Sequence, residues 1–439
     1  MNVKLGDNNI VPQIQKPASN YRYWAVLLIS LAITINYIDR VNLAVAAPDL
    51  RKALNLSASE MGVLMSAFFW SYTLTMIPAG ALLNKFGPKW VMFFSCFGWG
   101  AVTMLTAAVR GFGTFMAVRI GLGLTEAPGF PAGARVVSVW TPKRERTFCS
   151  ACFDCCARVG NAFAPPLVAL IIVHWGWKMS FVITGAIAVV YSFIWLLAYK
   201  DPDEHPKVTK SELDYIRQDE LISDEGHVIV KPIPMYRLFT YRVVVQVCIA
   251  YALYLYVWTA FNYWVPSYLM AARGLSLKAM GFAAMYPYIA GVTLELIGGA
   301  VFDRWYRSGA TITTLRRTGM SIAMIGAAVF LYMTMQATTA NAAIFWLTCT
   351  MGIFSFGASN VWAIPSDIAP YGQAGGVGGV YNFVGNFGAL VAPMVSGFMV
   401  DSKFGYNGAF WVCVACAVVG ALLFATNNYD RLEPKAADK

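Results

Sequence analysis

Charged side chains lie inside two of the apolar stretches of this chain. In the first, WAVLLISLAITINYIDRVNLAVAA, Asp39 and Arg40 are adjacent, and in the second, RIGLGLTEAPG, Arg119 precedes Glu126 by seven residues. Two helical turns separate Arg119 from Glu126, so both project from one face of a helix. If the two helices run antiparallel, Asp39 and Arg40 fall between them in height. We predict that all four groups share one cavity, since a structural ion pair that only joins two helices would need fewer charged residues.

The residue types in this cluster favour the binding of a carboxylate together with a proton. An arginine offers two parallel N–H donors that match a planar carboxylate. When Asp39 or Glu126 is ionised, it competes with an anionic substrate for Arg40, and protonation removes that competition. This pattern predicts proton–anion symport.

Four other charged residues lie in apolar stretches and support weaker interpretations. Asp154 and Arg158 are four residues apart and can neutralise each other, but Arg158 can equally contact substrate. Glu295 is nearer the inner end of its helix, which favours a gate or packing contact. Arg135 is close enough to a helix end to extend to the membrane surface.

Composition indicates that the elements carrying these charges cross a membrane. Of 439 residues, 58% are hydrophobic and 13% are charged. Apolar runs of 20 residues or more recur along the chain, and each can span a hydrocarbon core of ~30 Å. The nine cysteines lie mostly in these runs, so we interpret them as packed thiols and predict no metal site.

The predicted architecture is an all-α membrane protein with twelve transmembrane helices in two six-helix bundles. The apolar segments are 22–48, 59–83, 90–109, 113–138, 147–173, 177–199, 240–271, 276–303, 316–337, 340–364, 372–400 and 405–425. The predicted units are a tail (1–21), an N-terminal bundle (22–199), a charged linker (200–238), a C-terminal bundle (239–425) and a second tail (426–439). Loop arginines and lysines fall mainly on one side, which predicts that both termini are cytoplasmic. This bias also explains the net charge of +10 without a nucleic-acid partner.

Repeated words support two related halves. GALLNKFG contains Asn84 and Lys85, and GAVFDRWY contains Asp303 and Arg304 with the same spacing. VGN occurs at 159–161 and again at 384–386. Parallel repeats of six helices are typical of transporters whose site lies between the halves.

Several motifs together resemble the anion:cation symporter family of the major facilitator superfamily. They are NYIDRVNLAVA, SAFFWSYTLTMIPAG, RIGLGLTEAPGFPAG, GWKMSFVITGAI, WAIPSDIAP and GGVYNFVGNFGALVAP, and the resemblance covers nearly the whole chain. The chain is most similar in pattern to the bacterial galactonate and hexuronate symporters, followed by tartrate and phthalate carriers.

The resemblance implies roles for individual residues. Asp39 and Glu126 match the proton-coupling acids of the sugar-acid members. The residues that match substrate-binding or site-lining positions are Tyr37, Arg40, Tyr72, Arg119, Trp362 and Asn382. Arg158 is a further substrate-binding candidate, which rests on its position in an apolar helix and not on the resemblance. Asn84, Lys85, Asp303, Arg304 and Glu295 are the gating candidates.

Two departures from the family pattern affect these expectations. Asn84 replaces the aspartate usual in the gating motif between the second and third helices, which weakens the expected inner-gate contact. DCCARVG places Arg158 where galactonate carriers have small residues and a glutamine, so we expect a substrate other than galactonate.

The overall expectation is a multi-pass protein of the inner (plasma) membrane that is not an enzyme. It would take up a sugar acid such as a hexuronate, aldonate or aldarate by proton symport, as a monomer and with no cofactor beyond the proton. The alternative is a symporter or potential-driven uniporter of another anion, such as tartrate or a phthalate-like aromatic carboxylate. We do not expect a drug antiporter, an organophosphate exchanger, a membrane enzyme or a transport-like sensor, because the motif or domain typical of each is not seen in this sequence. A sugar facilitator would not need the cluster of acids and arginines.

Overall fold

The computed structural model describes residues 19–217, 235–370 and 374–432, and within these ranges the ordered elements are helices. Their bounds are α1 (Tyr21–Leu54), α2 (Ala58–Leu105), α3 (Phe112–Glu126), α4 (Gly129–Trp140), α5 (Lys143–Ala198), α6 (Lys210–Arg217), α7 (Met235–Leu238), α8 (Arg242–Ala271), α9 (Leu277–Arg307), α10 (Ile312–Gln336), α11 (Ala340–Phe356), α12 (Ala358–Ile368), α13 (Ala374–Asp401) and α14 (Gly405–Thr426). A single 3-10 turn, Thr106–Ala108, follows α2. Most of the predicted N-terminal tail, part of the linker and the end of the C-terminal tail lie outside the described residues.

Nine helical stretches in the described part of the chain are long and apolar enough to cross a membrane. The all-helical fold is therefore confirmed.

Two helices, α2 and α5, are each interrupted by a glycine. Gly87 in α2 has φ 72° and ψ 166°, and Gly176 in α5 has φ 80° and ψ 165°. This backbone region favours glycine, because a side chain there is strained. Both positions lie between apolar segments that the sequence analysis separated. The limbs that follow pack closely, since a Cβ at Gly100 would lie 2.7 Å from the carbonyl oxygen of Gly185.

Whereas α2 and α5 each contain two predicted segments, two other predicted segments are each divided into two helices. The segment 113–138 becomes α3 and α4, because Pro128 lacks a backbone N–H donor and stands between them. Glu126 is the last residue of α3 and therefore lies at the break. The segment 340–364 is likewise divided into α11 and α12 at Gly357.

The helices pack as an N-terminal group, α1–α5, and a C-terminal group, α8–α14. The main contacts between the groups are α2 with α13 and α5 with α9. At the start of α2, the Asp401 carboxylate accepts hydrogen bonds from the backbone N–H groups of Ala58 (3.1 Å) and Ser59 (2.6 Å). A Cβ added at Gly62 would lie 3.2 Å from the Cα of Gly397, so α2 and α13 approach closely here.

The short helix α6 lies in the predicted linker, carries Glu212 in its first turn and packs against the N-terminal group. Glu212 accepts a hydrogen bond from the backbone N–H of Arg22 at 3.0 Å. Glu145 accepts from Arg22 Nε at 2.8 Å and from the Tyr215 hydroxyl at 2.6 Å. These contacts join the linker to the beginnings of α1 and α5.

Candidate functional site

A central cavity of about 200 Å³ lies between the two groups of helices. The N-terminal side is lined from α1, α2, α4 and α5, and the C-terminal side from α8, α12 and α13. Six of the predicted substrate-binding residues line it, namely Tyr37, Arg40, Tyr72, Arg158, Trp362 and Asn382. The cavity therefore brings residues of both halves to one site.

Arg40 and Glu126 form an ion pair beside this cavity. Arg40 Nε lies 2.7 Å from Glu126 Oε2, and the side chains are 16% and 0% exposed. Glu126 is covered by protein, whereas Arg40 lines the cavity. An anion that enters can therefore reach Arg40 and compete with Glu126 for it.

Aromatic rings hold the Arg40 guanidinium in place. Its central carbon is 5.1 Å from the ring centre of Tyr37, 4.9 Å from that of Phe68 and 4.8 Å from that of Tyr72. Cation–π contacts of this kind favour a fixed guanidinium over a mobile one. Phe68 is fully buried and was not predicted as part of the site.

Arg119 does not line the cavity. It donates from Nε to the carbonyl oxygen of Leu64 at 3.2 Å and from Nη2 to that of Met65 at 3.5 Å, so it binds α3 to α2. Its guanidinium lies 5.1 Å from the Phe68 ring centre. Arg119 and Arg40 therefore both contact the Phe68 ring.

Asp39 is buried, and it too lies outside the cavity lining. Its electrostatic neighbours include Glu126, Thr184 and Cys96, which places its carboxyl toward the limbs of α2 and α5 behind α1. Within the described residues, neither Asp39 oxygen has a hydrogen-bond partner that meets normal geometry. The four predicted groups thus form a connected cluster, of which Arg40 alone lines the cavity.

Arg158 pairs with Asp154, as the sequence spacing predicted, and also with Glu295, a contact that the sequence analysis did not predict. Its Nε lies 2.5 Å from Glu295 Oε2, and its Nη2 lies 3.9 Å from Asp154 Oδ2. The Trp258 ring centre is 5.6 Å from the guanidinium carbon. Glu295 belongs to α9, so this ion pair joins the two halves at the level of the cavity.

Amide side chains provide much of the polarity on the C-terminal side. Asn386 Nδ2 donates to Asn382 Oδ1 at 2.7 Å, and the Tyr288 hydroxyl donates to Asn262 Oδ1 at 2.8 Å. Asn262 and Asn386 line the cavity, as does Asn161 on the N-terminal side. The sequence analysis did not select these three. The repeated VGN word contains two of them and could have indicated their position.

The gating candidates other than Glu295 lie away from this cavity. Asn84 and Lys85 end the first limb of α2, Asp303 and Arg304 are near the end of α9, and all four are exposed. At ~1.5 Å per residue, Asp303 is ~12 Å along α9 from Glu295. Their gating role stays a prediction.

A family model described as Major Facilitator Superfamily matches residues 29–393 and 308–439. The chain belongs to this superfamily. A relative described as "Probable galactarate/D-glucarate transporter GarP" of Escherichia coli (strain K12) is 32% identical over 440 residues, covering 95% of this chain and 98% of the relative. The "D-galactonate transporter" of Escherichia coli O6:H1 is 31% identical over 413 residues, covering 92% and 94%. The resemblance to sugar-acid transporters of the superfamily is therefore confirmed.

Solved structures support the fold. The crystal structure of a D-xylose–proton symporter superposes with a TM-score of 0.73 and 14% sequence identity, covering 96% of this chain and all (100%) of that chain. This superfamily consists of multi-pass membrane transporters, so the central cavity is interpreted as a transport site.

Proposed function

We propose that this protein takes up an organic carboxylate by proton-coupled symport, and that the substrate is a sugar acid such as a hexuronate, aldonate or aldarate. The observation that carries the proposal is the ion pair of Arg40, which lines the cavity, with the fully covered Glu126. A substrate carboxylate and the buried Glu126 carboxylate can therefore both pair with Arg40.

The proposed coupling is an exchange of partners at Arg40. When Glu126 is ionised, it occupies Arg40 Nε and repels an incoming anion. When Glu126 takes a proton, the attraction is lost and the guanidinium is free to bind the substrate carboxylate. Release of the proton to the cytoplasm restores the Arg40–Glu126 pair and expels the substrate.

Asp39 is proposed as a second proton-binding acid. An ionised carboxylate without hydrogen bonds is costly in an apolar interior, whereas the protonated form carries no charge. Asp39 is buried, no hydrogen bond of normal geometry reaches either of its oxygens, and Thr184 and Glu126 are its electrostatic neighbours. Protonation of either Asp39 or Glu126 therefore lowers the free-energy cost of ionising the other.

The amides and aromatic rings of the cavity fit the polyhydroxylated part of a sugar acid. Asn262, Asn382 and Asn386 each offer donors and acceptors, which hydroxyl groups can match. Trp258 and Trp362 line the same cavity and can cover the apolar faces of the carbon chain. The carboxylate would then lie toward Arg40.

We propose twelve membrane spans in two bundles, 22–199 and 239–425, joined by the linker 200–238. The interrupted helices α2 and α5 each supply two spans, while α3 with α4 and α11 with α12 each supply one. Both termini and the linker would face the cytoplasm, in the inner (plasma) membrane, with the monomer as the unit. The contacts of Asp401 with α2 would then close the outer side, and the 49% exposed Trp362 would face the cytoplasmic opening.

The test is uptake of radiolabelled galactarate, galactonate and glucuronate into proteoliposomes that contain the purified protein. An inward proton gradient should drive accumulation of at least one acid, and a protonophore should abolish it. Glu126→Gln should lose gradient-driven accumulation and retain exchange of internal for external substrate, because a neutral side chain leaves Arg40 free but carries no proton.

The matched control is Glu204→Gln, an exposed acid in the linker, which should behave as wild type. Accumulation by Glu126→Gln equal to that of wild type would refute proton coupling through this pair. Accumulation that follows membrane potential alone and ignores the proton gradient would instead identify a uniporter.

A further inference from the structure

A second arginine faces the central cavity, and its ion pair differs from that of Arg40. Arg158 contacts Glu295 of the opposite half at 2.5 Å, whereas Arg40 contacts Glu126 within its own half at 2.7 Å. Both arginines line the cavity and their side chains are only 13% and 16% exposed. The cavity therefore contains two partly covered cations, each held by a glutamate.

The offset between the backbones of Arg40 and Arg158 along the helix axes follows from the packing of α1 on the first limb of α5. These elements run in the same direction, because Arg22 pairs with Glu145 near their starts and Thr34 donates to the carbonyl oxygen of Cys156 further along. A Cβ at Gly160 would lie 2.8 Å from the Cβ of Tyr37, which fixes the relative heights of the two helices.

This register gives an offset that suits a short diacid. At ~1.5 Å per residue, Arg40 lies ~5 Å beyond Tyr37 and Arg158 lies ~3 Å before Gly160, so the two backbones are offset by ~8 Å along the helices. In an extended six-carbon chain, five bonds of ~1.5 Å place the terminal carboxyl carbons ~6 Å apart. Arginine side chains are long enough to accommodate the difference.

We propose that the cavity is a dicarboxylate site, in which one substrate carboxylate binds Arg40 and the other binds Arg158 in place of Glu295. This inference rests on the proposed function, carboxylate transport through the same cavity. A monoacid would use Arg40 alone and leave the Arg158–Glu295 pair intact. A six-carbon diacid engages both cations, while the asparagines of the C-terminal half can bind the hydroxyl groups between them.

Displacement of Glu295 also has a consequence for the two halves. The Arg158–Glu295 ion pair directly joins α5 to α9, so a carboxylate that takes Arg158 removes an attraction between the N-terminal and C-terminal groups. Asp154 remains 3.9 Å from Arg158 on the same helix and does not replace this link. Binding of a diacid would therefore break an ion pair between the two groups of helices, and binding of a monoacid would not.

The experiment compares galactarate with galactonate, which share a carbon chain and differ in having a carboxylate or a hydroxymethyl group at one end. Dissociation constants are measured by calorimetry for wild type, Arg158→Gln, Glu295→Gln and the control Arg135→Gln. Arg135 is an exposed arginine of α4 outside the cavity lining. Loss of one charged hydrogen-bonding partner corresponds to a change of about 10-fold to 100-fold in affinity.

We expect wild type to bind galactarate at least about tenfold more tightly than galactonate. Arg158→Gln should abolish that preference, because it weakens galactarate binding about tenfold more than galactonate binding, and Arg135→Gln should match wild type for both acids. Glu295→Gln should bind galactarate more tightly than wild type does, because Arg158 is no longer occupied, with galactonate affinity unchanged.

Equal affinities of wild type for the two acids, or equal losses of both in Arg158→Gln, would overturn the dicarboxylate site and leave carboxylate symport intact. If Arg158→Gln does not fold, the Glu295→Gln variant decides, since unchanged galactarate affinity there contradicts displacement. Binding of neither acid, nor of a hexuronate, by folded wild type would instead refute the proposed function, and the dicarboxylate site with it.

Discussion

Replacing Arg40 by lysine is the sharpest test of how the site holds a carboxylate. Lysine keeps the positive charge but replaces a planar fork of N–H donors by a single ammonium group. In the structure, Arg40 uses Nε to reach Glu126 at 2.7 Å, and the centres of three aromatic rings lie about 5 Å from its guanidinium carbon. A substrate carboxylate would exploit the same fixed fork.

The expected loss follows from the number of contacts that lysine cannot make. One charge-assisted hydrogen bond contributes about 1.5–3 kcal/mol, which corresponds to about 10-fold to 100-fold in affinity. The retained charge and cation–π contacts should keep the folded state close to wild type. We therefore expect Arg40→Lys to weaken substrate binding by that factor with a small change in melting temperature.

The assay pairs calorimetry with thermal unfolding in the same detergent, and Arg135→Lys serves as the matched control at an exposed arginine. A purely structural ion pair predicts the reverse result, with a large fall in melting temperature and normal affinity in the surviving protein. Wild-type affinity for every acid in well-folded Arg40→Lys would refute the carboxylate-binding role of Arg40.

Two further predictions concern stability. Burial alone raises the pKa of Glu145, but hydrogen bonds from Arg22 and Tyr215 outweigh it and lower the pKa below its usual 4.5; the stabilisation is present above that pH and is lost as pH falls through the folded pKa. The melting-temperature difference between wild type and Glu145→Gln should therefore be present at pH 7 and vanish in acid. A difference independent of pH would contradict a stabilising role for the hydrogen bonds of Glu145 with Arg22 and Tyr215. A Cβ at Gly388 would overlap the carbonyl oxygen of Ala252 and lie 2.6 Å from its carbon, so Gly388→Ala should lower the melting temperature by several degrees, while Gly80→Ala, with no neighbour within 4 Å, should not.

The sequence predicted the helical elements well because apolar length and glycine or proline breaks are local properties. Gly87 and Gly176 fall where the analysis separated one span from the next, and the positive φ at each explains why. The division of one predicted span at Pro128 was missed, although this proline could have indicated it. That break matters, since it places Glu126 at the end of α3 rather than within a continuous helix.

The predicted site was less complete, because depth along a helix does not determine direction around it. Adjacent residues on a helix point ~100° apart. Tyr37, Arg40, Val41 and Ala44 form the face of α1 that lines the cavity, and Asp39 projects from the other side of the helix. The same limit applies to Arg119, which was predicted to share the cavity but whose side chain turns to the backbone of α2.

The contact between Arg158 and Glu295 required the assembled structure, since it joins residues from opposite halves. Local pattern gave Arg158 a partner four residues away, and the structure shows that this partner is the more distant one, at 3.9 Å against 2.5 Å for Glu295. The N-terminal group supplies Arg158 and the C-terminal group supplies Glu295, so neither group alone contains the ion pair. Because the pair exists only when the two halves meet, a ligand that competes for Arg158 acts on the contact between them, which gives a transporter a direct link between binding and rearrangement.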